Sequence, residues 1–270
     1  YELTVPKTPK EFYDVTEFFT RGKGEKLAGE TLNENFYGLA TMSKKHAALT
    51  CDFLNWAWSF DGGIFDGSKD SGNLVVNSEK NLKALEYYKS LLKNAVPGST
   101  DYTWDELTTA MQQGIIFAAI AFNDTRKAME DSENSKVSGK LGYALTPSDG
   151  TPGAFLGSWT YVIPKESKNP ENAYKFLMWA VSKDVQKKLT QLGAIPCRES
   201  VLNDSEISQI PFMPATLEAF KISDNKPRIA EWGEMDTVMQ EQIHMALTNQ
   251  IEPEKALDNI QEQYKKILNQ

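Results

Sequence analysis

Only two cysteines and two histidines occur in the 270 residues. Cys51 and Cys197 are too far apart to make a metal-binding pair and too few to make a disulfide framework, so they read as unpaired thiols. The surroundings of His46 and His244 match no zinc-ligand spacing; both read as exposed helix residues, and no metal is expected. There is no G-x-S-x-G elbow and no P-loop. Gly22-Lys23-Gly24 starts like a dinucleotide fingerprint, but the third glycine is misplaced and no strand precedes it. No cofactor is therefore expected. No apolar run approaches the ~20 residues needed to cross a bilayer; the most apolar one, 115–122, is far shorter. Basic residues are outnumbered 29 to 37, for a net charge of −8, and they form no compact cluster. That argues against a nucleic-acid partner, which needs a basic surface to neutralise phosphates.

What is present is an ordinary globular composition, 40% hydrophobic, with strong helix signals. Thr8-Pro9-Lys10-Glu11 combines a capping residue, a proline at the first helical position and a capping-box glutamate. Thr103-Trp104-Asp105-Glu106 repeats the box. Ser78 opens a third helix, with Leu82, Leu85, Tyr88 and Leu92 on one face. Asn169-Pro170 opens a fourth, followed by a companion that stops at Gly193. Helices carrying Met235 to Leu247 and starting at Pro253 end the chain. Strand signals are fewer: 115–122, read as a strand buried on both faces, then 141–145 and 159–163, each bounded by Gly or Pro. Helices alternating with isolated strands point to an α/β sandwich.

Six tryptophans are many for this length. Trp56 and Trp58 precede Asp61-Gly62-Gly63, Trp159 follows Gly157-Ser158, and Trp232 sits just before the Met235 helix. Sugar rings stack their apolar faces on aromatic rings and need convergent polar groups for their hydroxyls, so Trp beside Asp, Asn, Ser and Gly suits such a pocket. Burial in a core is the competing reading for each of them. Trp104, beside a cap, and Trp179, inside a helix, read as structural. Asn123-Asp124 closes the 115–122 run, where an α/β protein places ligand contacts; a plain N-cap is the alternative. Carboxylates are abundant, so a glycosidase pair stays open as a second hypothesis.

Taken in order, these segments resemble the family 1 extracellular solute-binding proteins, the maltose-binding-like group that serves ABC importers. The resemblance is carried by V-P-K-T-P-K-E-F (5–12), W-S-F-D-G-G-I-F (58–65), N-S-E-K-N-L-K-A-L-E-Y-Y-K-S-L-L (77–92), the helix, glycine and apolar run of 102–120, L-G-S-W-T-Y-V-I-P (156–164), S-K-N-P-E-N-A-Y-K-F-L-M-W (167–179), L-G-A-I-P-C-R-E-S-V (192–201), and the Trp232 helix with the Pro253 start. It implies an α/β, helix-rich fold like that of type II periplasmic-binding proteins, here the second lobe plus the late part of the first. Residues 1–164 and 217–270 would form the second-lobe-like domain, and 165–216 the returning helical part of the first. About a hundred further residues, a small domain's worth, would precede Tyr1, and the 165–216 helices would then expose apolar faces meant for a sheet.

The ligand wall implied by the resemblance comprises the 51–58 segment with Asp52, Trp56 and Trp58, then Asp61, Asn123-Asp124, Gly157-Ser158-Trp159 and Trp232. Arg198 either contacts ligand or braces a hinge. Maltose-binding members carry an aromatic where this chain has Asp124, which favours a more polar sugar or a polyol. The implied function is the extracytoplasmic substrate-binding component of an ABC importer, periplasmic or a bacterial cell-surface lipoprotein. It would capture a small-molecule carbohydrate, dock on a membrane permease and catalyse nothing. A carbohydrate-active hydrolase using a carboxylate pair is the alternative.

Overall fold

The computed structural model describes residues 1–68, 70–150 and 153–269. In chain order its elements are Pro9–Phe19 (α1), Lys26–Leu27 (β1), Glu30–Thr31 (β2), Tyr37–Ala40 (β3), Ala47–Ser59 (α2), Glu79–Leu91 (α3), Trp104–Gln112 (α4), Ile116–Ala119 (β4), Arg126–Met129 (α5), Ala154–Phe155 (β5), Pro170–Ala180 (α6), Lys183–Gln191 (α7), Glu199–Leu202 (α8), Met213–Ile222 (α9), Ser223–Asp224 (β6), Trp232–Leu247 (α10) and Pro253–Ile267 (α11). Both capping boxes form. Thr8 Oγ1 accepts from Glu11 N–H at 3.2 Å and Glu11 Oε2 accepts from Thr8 N–H at 3.2 Å. At α4, Glu106 Oε2 accepts from Thr103 N–H at 2.7 Å. Ser78 caps α3, Pro170 opens α6, and Gly193 follows α7 with φ +100°, a conformation glycine adopts freely.

The main core lies where α2, α3, α10 and α11 pack together. Phe53, Leu85, Tyr88, Met239, Ile260 and Tyr264 are all at most 1% exposed. Each such aliphatic or aromatic burial contributes roughly 1.5–3 kcal/mol. Tyr264 satisfies its hydroxyl by donating to Met235 O at 2.8 Å, which ties α11 to α10. A second core under α4 and β4 holds Met42, Leu107, Met111 and Ile116, and a third holds Val201, Ile207, Phe212 and Met213.

The sheets of the described residues are small. β1 and β2 form an antiparallel hairpin, β3 pairs with β4 in parallel, and β5 pairs with β6 in parallel. The 115–122 strand is thus shorter than the sequence suggests, and it is covered on one side only: Ile116 is buried, whereas Phe117 is 38% exposed and stacks on Phe19 at 3.9 Å. Neither 141–145 nor 159–163 belongs to a sheet among the described residues. A strand is completed by its neighbour's hydrogen bonds, and neither segment has such a neighbour here. Trp159, Tyr161 and Val162 accordingly stand 101%, 74% and 78% exposed. Helix α6 likewise shows apolar side chains to solvent, with Tyr174, Phe176, Met178 and Trp179 all exposed. Trp179, read as structural from its helical setting, packs only against Phe176 among the rings of the described residues.

Two contacts locate the parts that matter for the site. Gly38 on β3 lies directly against the α1 backbone at Thr16, where a Cβ would overlap it. Asp52, 2% exposed, projects from α2 into the core. Its Oδ2 accepts from Met42 N–H at 3.0 Å and from the Tyr88 hydroxyl at 2.9 Å, while Oδ1 finds no partner among the described residues. The network continues from Tyr88 to Ser43 Oγ at 3.0 Å and on to Thr41 Oγ1 at 2.7 Å. Burial disfavours the charged form and pushes the Asp52 carboxyl up from 3.8 to about 6, against the pull of its two hydrogen bonds.

Gly38→Ala should therefore cost about 3 kcal/mol or more, because the obstacle is backbone and cannot swing aside; urea unfolding checks it, and a loss below 1 kcal/mol would contradict the packing. For Asp52 the folded state holds its proton more tightly than the unfolded chain, so this carboxyl removes stability as pH rises from about 4 to about 6. Asp52→Asn keeps an acceptor for both hydrogen bonds and abolishes the titration. The stability of the variant minus that of the wild type should rise by up to about 3 kcal/mol between pH 4 and 7. A difference that stays flat across that range refutes the assignment.

Candidate functional site

Helix α2 offers two adjacent stripes. Asp52 and Trp56 lie on the inner one, 2% and 1% exposed, packed against α3 and α1. This corrects their placement in the ligand wall: helical periodicity turns them into the core. Cys51, Asn55 and Trp58, at i, i+4 and i+7, lie on the other stripe. Asn55 Oδ1 accepts from Phe155 N–H at 2.7 Å and so fixes β5 on α2. Trp58 stacks on Phe155, centroids 6.0 Å apart and planes 23° from parallel.

From that pair an aromatic row runs along the surface. Phe155 meets Phe122 edge-on at 5.9 Å, Phe122 meets Trp104 at 6.5 Å, and Trp104 meets His46 at 4.8 Å. All five rings are half-buried, with apolar area still available. Trp104 is thus part of a surface row and not merely beside a cap. His46 is the N-cap of α2, where its Nδ1 accepts from Ala48 N–H at 3.2 Å. His244 is also half-buried, its Nδ1 2.9 Å from Ser43 O. Neither histidine is the exposed helix residue expected.

The remaining sequence candidates divide. Asn123 and Asp124 are exposed on the turn that leaves Phe122, at the end of the row; the cap of α5 is Thr125, so the capping alternative fails. Gly157 packs closely on Phe122, where a Cβ would sit 3.1 Å from the ring. Ser158 and Trp159 continue into solvent, away from any packed ring. Asp61 ends α2 in a left-handed conformation, φ 55°, beside Gly150. Arg198 donates from Nη1 to Val181 O at 2.9 Å, bracing the end of α6. Trp232 starts α10 and is 7% exposed, a core residue whose Nε1 has no partner among the described residues.

Beyond β6, Asn225 N–H donates to Asp224 Oδ1 at 2.8 Å, and Arg228 N–H donates to Asp70 Oδ1 at 2.7 Å, which ties the 225–228 loop to the loop between α2 and α3. Asp236 bonds Thr50 Oγ1 at 2.6 Å and Gln240 Nε2 at 2.8 Å, linking α10 to α2. The corner therefore combines apolar ring faces with amide and carboxylate groups, which suits a polyhydroxylated ligand. An open cavity of about 350 Å³ lies to one side, lined by Arg126, Lys127, Thr190 and Phe212. The Arg126 guanidinium stacks on Phe212 at 3.7 Å, so this cavity is walled by a structural contact. No cluster of three metal-ligating side chains occurs among the described residues. Sequence reading missed Phe122 and Phe155 and took Trp104 as structural, since their grouping depends on contacts between distant segments.

Both thiols are free. Burial, with the Asp236 charge adding to it, pushes Cys51 up to about 12, whereas Cys197 is exposed. Iodoacetamide at pH 8 should alkylate Cys197 and spare Cys51 in the folded chain, because the thiolate is the reactive form; mass mapping that finds both labelled equally would contradict this setting of α2.

Comparison with known proteins gives a consistent picture. Residues 2–215 match the family model described as bacterial extracellular solute-binding protein. A probable ABC transporter-binding protein of Deinococcus radiodurans is 27% identical over 97% of this chain and 62% of its own length. The mannitol-binding protein of Pseudomonas aeruginosa is 26% identical over 65% of this chain and 45% of its own. Among solved structures, a solute-binding protein of Thermotoga lettingae bound with α-D-tagatose superposes with a TM-score of 0.86 at 26% identity, covering 98% of this chain and 65% of that one. One from Agrobacterium radiobacter in complex with ribitol gives 0.83 at 26%, covering 98% and 65%. The chain thus spans less than two thirds of each of these proteins. Sequence order, fold and family match agree, and the chain belongs to the bacterial extracellular solute-binding protein family.

Proposed function

We propose that this chain supplies one wall of the ligand cleft of an ABC importer's extracytoplasmic binding protein, and that the ligand is a sugar or polyol. The observation that carries the reading is the row of Trp58, Phe155, Phe122 and Trp104 with Asn55, Asn123 and Asp124 around it, at the C-terminal ends of short parallel strands, where α/β folds place ligands. The names of the mannitol, ribitol and tagatose binders favour the same ligand class, and they favour capture over hydrolysis. No helix among the described residues is long and apolar enough to cross a membrane, so docking on a membrane permease falls to the surface of the fold.

The reading extends to organisation. Residues 1–164 with 217–270 act as one lobe, and 165–216 belongs to a second lobe completed by further polypeptide. The bare apolar face of α6 and the unpaired 159–163 segment support this, as does the greater length of the related proteins. Ligand is then held between two walls, and closure of the lobes traps it.

Tryptophan-fluorescence titration with D-mannitol, ribitol, D-tagatose and maltose tests both statements when run on this chain and on the full-length gene product. Saturable change in the full-length protein, with weaker or no change in the chain alone and the sugars recovered intact, is expected. Silence of both across the panel overturns the ligand class. Equal affinity in both overturns the two-wall organisation.

A further inference from the structure

The open cavity of about 350 Å³ is lined from two directions, and its volume lies in the range of small-molecule sites. Arg126, Lys127 and Glu130 come from α5, while Gln191, Gly193 and Phe212 come from the end of α7 and the approach to α9. These two sides belong to the two parts, 1–164 and 165–216, between which the proposed function holds its ligand. The cavity is also close to the aromatic row. The carbonyl of Phe122 accepts from Thr125 N–H at 3.2 Å and from Thr125 Oγ1 at 2.7 Å, and Arg126 follows directly. Four residues reach at most about 14 Å when fully extended, and this turn covers less.

Charge distinguishes the cavity from the rest of the corner. Neither Arg126 nor Lys127 enters an ion pair among the described residues. The Arg126 guanidinium lies over Phe212 at 3.7 Å, which fixes its plane. Its Nη2 makes one long bond to Gly193 O at 3.4 Å, a further contact reaches the Tyr143 hydroxyl, and Nε is buried with no partner among the described residues. Glu130 has both oxygens taken, one by the Tyr143 hydroxyl and the other by Gly139 N–H at 2.6 Å. Its charge remains, so Arg126, Lys127 and Glu130 together leave one net positive charge at the cavity. A partly desolvated cation without a counter-charge gains from the arrival of an anion, and a guanidinium beside an ammonium suits a carboxylate. A doubly charged phosphate overshoots that single net charge, whereas a carboxylate matches it. Resting on the sugar or polyol reading above, we infer that the ligand is an acidic sugar, a uronate or an aldonate, whose carboxylate enters this cavity between Arg126 and Lys127 while its hydroxylated carbons lie toward Phe122.

Calorimetric titration of the full-length protein at about pH 7.5, with pairs that differ only in a carboxylate for a hydroxymethyl group, tests this. The pairs are D-galactose with D-galacturonate, D-mannitol with D-mannonate, and ribitol with D-ribonate; D-mannitol 1-phosphate and L-glutamate complete the set. In the pair that binds best, the acid should bind about tenfold or more tightly than its neutral partner. Lys127→Gln, at an exposed position with no partner to lose, should shrink that ratio about threefold or more, and so should Arg126→Gln. If a neutral sugar binds as tightly as its acid, or both variants keep the wild-type ratio, the inference falls and the proposed function stands. If mannitol 1-phosphate binds more tightly than mannonate, the anion is a phosphate and the carboxylate assignment falls. If no sugar of the set binds, or glutamate alone does, the proposed function fails and this inference with it.

Discussion

Helix α2 sits between α3 and α10 on one side and β5 on the other, and each stripe of its surface is already allotted. The inner stripe is held by the Asp52 carboxyl, which reaches the end of β3 through Met42 and α3 through Tyr88. Because a buried carboxyl with two hydrogen bonds tolerates little rotation, the phase of the helix is set there. The outer stripe, with Asn55 and Trp58, then has to face β5. The position of the aromatic row is thus a consequence of a polar contact inside the core.

Such an arrangement separates rigidity from recognition. The rings are held by one another and by the bond from Phe155 N–H to the Asn55 side chain, so in the proposed function a ligand would meet faces that are already oriented. Preorganisation of this kind is expected where the ligand is small and heavily hydrated and each contact must replace a water.

The helices were legible in the sequence because their signals are local. Thr8 with Glu11, Thr103 with Glu106, and Ser78 each announce a helix within four residues, and each helix forms. Strands were less so, since 141–145 and 159–163 have the right composition but a strand exists only through its neighbour. For the proposed site, the sequence points to Trp58, Asn123, Asp124 and Gly157 because aromatic and polar residues stand side by side in the chain. Asp52 and Trp56 were drawn in with Trp58 by treating 51–58 as one wall, although a helix shows only part of its circumference to any one side. Phe122 and Phe155 carry no local signal; what groups them is ring contact across more than thirty residues.

The segment W-T-Y-V-I at 159–163 also bears on how the chain behaves at concentration. It is rich in aromatic and β-branched residues and free of charge, belongs to no sheet among the described residues, and exposes Trp159, Tyr161 and Val162. Those are the features from which strands of separate molecules pair. Until this segment is paired within its own molecule, self-association at it competes with folding, and the competition grows with protein concentration. The order in which parts of the protein meet during folding then bears on yield.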